Sequence, residues 1–152
     1  MKAALALLAA FILVPVADAQ ECPTAASFPP PGTCNYVSAA DGTLGPVSAC
    51  TPGEASVDDV ATLCHEKQAR RCKPDAAVHK AVAKAYDVPG CGEVDHYIPL
   101  CLGGANSAKN LWCQQNFRGK DKLEARLCRS VCAGKLSLEA ARVVIMDPRN
   151  WK

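Results

Sequence analysis

Ten cysteines in a chain of 152 residues constrain this sequence more than any other feature. They are Cys22, Cys34, Cys50, Cys64, Cys72, Cys91, Cys101, Cys113, Cys128 and Cys132, and all follow an apolar leader. Lys2 supplies a basic start to that leader, Ala3 to Val16 is an apolar run, and Ala17-Asp18-Ala19 fits a small-x-small cleavage site before Gln20. The run is shorter than the ~20 residues a spanning helix needs, and no Lys/Arg cluster follows it. Residues 1–19 therefore read as a signal peptide. The mature chain is expected to be secreted, extracellular or periplasmic, without stable membrane association. In such a compartment an even cysteine count implies up to five disulfides. No Cys-x-x-Cys pair occurs, which argues against a structural zinc site. Cys128 and Cys132 fall four apart on an expected helix, so each should reach a different partner element. Cys101 and Cys113 flank a glycine turn and are expected to close it; the remaining connectivity is open.

The length suits one domain. Its first part, residues 20–53, is rich in Pro, Gly, Ser and Thr, lacks apolar periodicity and reads as an irregular arm tied by disulfides. Residues 54–152 carry the regular pattern. A helix is expected from Ser56 as N-cap with Asp59 three residues on, followed by Val60, Leu63 and Lys67 on one face. A second opens at Pro74, with Val78, Val82 and Tyr86 as its buried stripe. A third runs from about Lys120, with Leu123, Leu127 and Val131 inward, and stops near Gly134. A last helix starts at Ser137 and ends at Asp147-Pro148, leaving Trp151 as a core plug. The formal charge of +2 hides an asymmetry. From His65 to Lys152 there are 16 Lys/Arg and 9 Asp/Glu, a net +7, which favours a polyanionic partner.

Between the second and third helices lies Glu93 to Trp112, where the chemistry concentrates. Val94, Tyr97, Ile98 and Leu100 make a strand-like run, yet Asp95-His96 stands inside it. An acid beside a group that titrates near neutral pH gives a buried strand nothing. Gly103-Gly104 turns the chain, and Asn110-Leu111-Trp112 brings it back. His65 and His79 lack carboxylate, His or Cys neighbours at metal-site spacing and stay outside the site.

Asp95-His96-x-Ile-Pro-Leu-x-Leu-Gly-Gly, then Asn110-Leu111-Trp112, then Lys120-Asp121-x-Leu-Glu124 opening a helix, resembles the HNH endonuclease superfamily. The match is to small secreted HNH-like proteins, and it covers roughly residues 51–152. The resemblance implies an α+β fold, mainly helical, stapled by disulfides around a ββα-metal hairpin-helix unit. It implies a metal-dependent endonuclease hydrolysing nucleic-acid phosphodiesters with low sequence selectivity, DNA ahead of RNA.

Hydrolysis of a phosphodiester needs a base for the attacking water and a cation for the phosphate charge. The resemblance makes His96 the base and Asn110 the residue that holds the loop and orients it. Asp95 is a hard oxygen ligand for Mg²⁺ or Mn²⁺. In a regular strand Asp95 and His96 point to opposite faces, so the implied site requires a bend there. The helix start departs from the family pattern, which places a His or Asn there as second ligand. Asp121 can replace it, or can be simply a favourable acid in a first helical turn; Asn116 is a further candidate. Lys120 and Arg118 are expected to contact phosphate. The alternative is a catalytically inactive, disulfide-rich binding or effector protein on the same scaffold.

Overall fold

A computed structural model of the chain describes residues 22–65, 74–115 and 118–152. The signal segment, Lys67, Cys72 and Asn116 lie outside them. Within them the fold is mixed: four helices and two antiparallel two-stranded sheets, with none of the helices long and apolar enough to cross a membrane.

The arm is more ordered than its composition suggests. Strands β1 (Tyr36–Ser38) and β2 (Leu44–Pro46) pair as a hairpin. Asp41 Oδ1 accepts from the Thr43 amide in its turn, and the Cys34–Cys50 disulfide closes its base. The hairpin docks on the rest of the chain. The Cys34 amide donates to Ala85 O at 2.8 Å, the Tyr36 hydroxyl donates to Cys113 O at 2.8 Å, and the Tyr36 ring lies 4.8 Å from that of Tyr86.

Helix α1 (Val60–His65) starts later than Ser56. The Ser56 amide is already used by Gly103 O, and Ala55 bridges Gly104, so residues 55 and 56 run along the glycine turn. Asp59 takes over the start, accepting from the Thr62 amide at 2.8 Å. Helix α2 (Ala76–Ala85) is capped by Asp75, whose Oδ1 accepts from the Val78 amide, so Pro74 precedes the cap. Its stripe of Val78, Val82 and Tyr86 is buried as the spacing predicts.

Strands β3 (Glu93–His96) and β4 (Leu111–Gln114) pair with Asp95 opposite Trp112 and His96 opposite Leu111. The expected strand through Leu100 stops short, because Pro99 has no amide to donate and a 3₁₀ turn, Leu100–Leu102, follows it. Gly103 has φ +82°, and a Cβ on Gly104 would run into the Ile98 carbonyl and the Asn110 amide.

Helix α3 (Arg118–Cys132) turns Leu123, Leu127, Cys128 and Val131 inward, and the chain leaves it through Gly134 at φ +66°. Helix α4 (Leu138–Ile145) is capped by Ser137, and Trp151 fills the core beside Trp112, ring centroids 5.6 Å apart. Cys64–Cys132 joins α1 to α3, and Cys101–Cys128 joins the 3₁₀ turn to α3, so the two α3 cysteines do reach separate elements. The expected Cys101–Cys113 pair is not formed. Cys113 stands opposite Val94 near the start of β3 and pairs with Cys91, while Cys101 lies beyond the far end of that strand and pairs with α3. Cys22 is also disulfide-bonded.

Candidate functional site

The loop from Tyr97 to Asn110 is closed by one buried side chain. Asn110 is fully buried, its Oδ1 accepting from the Ile98 amide at 2.8 Å. Its Nδ2 donates to Ile98 O at 2.9 Å and Ala105 O at 3.0 Å. The backbone adds a bond from the Tyr97 amide to Asn110 O at 2.7 Å. Only a neutral amide carries both donors and acceptor for this arrangement. Asn110 therefore fixes the loop on which its neighbours depend.

His96 ends β3, and its Nε2 lies 2.8 Å from Oδ1 of Asn106 in that loop. With Oδ1 as acceptor, Nε2 carries the proton and the basic lone pair is on Nδ1. Asn106 is only 4% exposed, so the contact is a fixed one. Sequence reasoning passed over Asn106. Its only sequence signal was a second asparagine just after the glycine pair, in a turn that already needed Asn110.

Asp95 faces the other way. Glu93 and Asp95, two residues apart on β3, both line a cleft of about 460 Å³ between that strand and α3, whereas His96 is not among its lining residues. β3 stays regularly paired through His96, so the bend needed to unite the two side chains is absent. The α3 side of the cleft is built by Asp121, Glu124, Ala125, Cys128 and Arg129, with Cys101 between. Asp95 and Asp121, expected as metal ligands, are thus brought to one cavity.

Lys120, expected to contact phosphate, is instead wholly buried at the root of this cleft. Its Nζ donates to Asp95 Oδ2 at 2.5 Å and to His96 O at 2.7 Å, with Glu124 Oε2 at 3.7 Å. The ammonium ties α3 to the end of β3. Arg118 is exposed at the first position of α3 and does not line the cleft; Arg129 does. Arg129 also borders a second groove with Lys122, Arg126 and Lys152, so a basic lip adjoins the acidic floor.

Burial pushes the Glu124 carboxyl up to about 7, helped by the charges of Asp95, Asp121 and Glu93 and opposed by Lys120. Burial, then Asp95, also raises Asp121, and Lys120 opposes this. The crowding of four carboxylates is therefore only partly relieved by one ammonium.

A divalent ion is the group the resemblance implies. Hard carboxylate oxygens suit Mg²⁺ or Mn²⁺ by type. The arrangement at Asp95 does not fit one, because the ammonium already stands on Oδ2 and on the adjacent backbone carbonyl. Compared with known proteins, the chain matches no family model, no curated protein and no solved structure.

Proposed function

We propose that the protein is a secreted HNH-type hydrolase that cleaves nucleic-acid phosphodiesters with low sequence selectivity, His96 being its general base. The observation that carries this reading is the imidazole at the end of β3, held through Nε2 by the buried Asn106 on a loop that Asn110 locks. A base fixed on one nitrogen presents the other in a defined direction. In the reaction Nδ1 takes a proton from water, and the water oxygen bonds to phosphorus. The bond from phosphorus to the leaving sugar oxygen breaks, and that oxygen takes a proton from solvent. The net +7 of residues 65–152 and the basic lip of Lys122, Arg126, Arg129 and Lys152 favour a polyanionic substrate, DNA ahead of RNA. Arg118 joins them as a phosphate contact from the exposed start of α3. The disulfides are consistent with an oxidising compartment.

A second reading is a binding or effector protein that keeps the scaffold without turnover. It is favoured by the Asp95 carboxylate lining a cleft that His96 does not line. Plasmid nicking by the oxidised mature protein, in EDTA, Mg²⁺ and Mn²⁺, separates the two. The hydrolase reading expects nicking that His96→Ala removes with the fold intact. No nicking under any condition leaves the binding reading, and nicking unchanged by His96→Ala removes His96 as the base.

A further inference from the structure

We propose that Lys120 is the resident cation of this fold, its ammonium standing on Asp95 and the His96 carbonyl in the place of a divalent metal, so that Asp95 is closed to metal ions. The proposal takes from the hydrolase reading only the expectation of a metal at Asp95.

Three observations carry it. Lys120 is fully buried, which a lysine almost never is unless its charge is met. Its charge is met on the atoms that matter, Asp95 Oδ2 at 2.5 Å and His96 O at 2.7 Å. Finally, the contacts cross between elements. In a metal-tied hairpin-helix unit the ion holds the helix against the strand end. Here the third residue of α3 reaches β3 by side chain and holds it at two points. Withdrawing the ammonium would leave a half-buried carboxylate and a carbonyl without their donor. An ion entering at the other Asp95 oxygen would lie a carboxylate's width from a positive charge, and that repulsion is strong where water is scarce. Glu124, one helical turn on, adds a second counter-charge at 3.7 Å and completes the ammonium's surroundings.

The experiment is a titration of the oxidised, chelator-treated full mature chain with Mn²⁺ alone, read by electron paramagnetic resonance. Wild type is expected to bind no Mn²⁺ tighter than about 1 mM. Lys120→Met keeps most of the buried stem and removes the charge. It should uncover a Mn²⁺ site at least about tenfold tighter, and adding Asp95→Asn should abolish that site. The melting temperature of wild type should be the same in EDTA and in Mn²⁺. A tighter wild-type site lost on Asp95→Asn overturns the proposal, as does a folded Lys120→Met protein that still takes no Mn²⁺. Should Lys120→Met fail to fold, the comparison of wild type with Asp95→Asn decides alone. Binding is read without turnover, so a protein inactive on nucleic acid still tests the assignment, and failure of either reading is seen separately.

Discussion

At the scale of single residues, two asparagines and one ion pair make different contributions that measurement can separate. Asn110 satisfies three backbone groups from a fully buried position. Its replacement by Ala leaves those groups unpaired and should destabilise the protein by about 3 kcal/mol. Urea unfolding will read this as a lower midpoint at unchanged slope. Asn106→Ala removes the bond to His96, and the loss of that bond should cost about 1 kcal/mol of stability. If the hydrolase reading holds, the same change should slow nicking by about tenfold to a hundredfold, because it frees the imidazole to turn. The Lys120–Asp95 pair behaves differently again. Removing Asp95 leaves the Lys120 ammonium buried, at about 3 kcal/mol. Removing Lys120 leaves a half-buried carboxylate and should cost less, and removing both should cost less than the sum. A double-mutant cycle on Lys120→Met and Asp95→Asn tests this, and additive losses would count against a coupled pair.

At the scale of elements, the cleft between β3 and α3 gives stability a pH dependence of definite sign. Glu124 has its carboxyl raised to about 7 in the folded protein, first by burial and then by Asp95, Asp121 and Glu93. An acid with a raised folded pKa binds more protons folded than unfolded between the two values. Its contribution therefore favours the folded state at low pH and declines as pH rises from about 4.5 to about 7. The side chain is about a third exposed, so solvent screening trims the effect to about 1–2 kcal/mol. Glu124→Gln should flatten the fall in melting temperature over that window and leave the protein more stable than wild type at pH 8. A slope unchanged by the substitution would show that Glu124 is not its source. Elements were also where sequence reasoning was most and least informative. Helices α2, α3 and α4 are long enough for their apolar stripes and caps to show in the sequence, and Ser137 caps α4 where expected. Strands β1 and β2 have three residues each, too few for an alternation to emerge, and the hairpin is fixed by Cys34–Cys50 and by Tyr36 reaching β4. The start of α1 moved because Ser56 was taken by the glycine turn, a tertiary contact that a local capping pattern does not contain.

For the whole molecule, the site's residue types were legible and their facing was not. Asp95 and His96 stand out from an apolar run by polarity alone, whereas Asn110 and Lys120 sit among polar neighbours and were singled out by the resemblance. That Asp95 lines the cleft and His96 does not depends on β3 staying regular to its end, which is settled by pairing with β4 and by the ammonium arriving from α3. The cysteines likewise announce a stapled protein without giving its connections. Cys64–Cys132 spans 68 residues and Cys101–Cys128 spans 27, and both converge on α3, the helix that forms one wall of the cleft. By loop-closure entropy these are worth about 4 kcal/mol each, comparable with the whole stability of many small domains. The two short sheets and four helices of the described residues, around one aromatic cluster, have little reserve against such a loss. Replacing Cys101 and Cys128 together by Ala should thus lower stability by about 3–4 kcal/mol while the remaining bridges keep the fold. Full reduction by dithiothreitol should abolish the near-ultraviolet circular dichroism of Trp112 and Trp151, since both rings are ordered by the core, Trp151 also through its Nε1 donating to Ile145 O at 2.7 Å. A reduced protein that retained that signal would show that the core, and not the staples, holds α3 against β3.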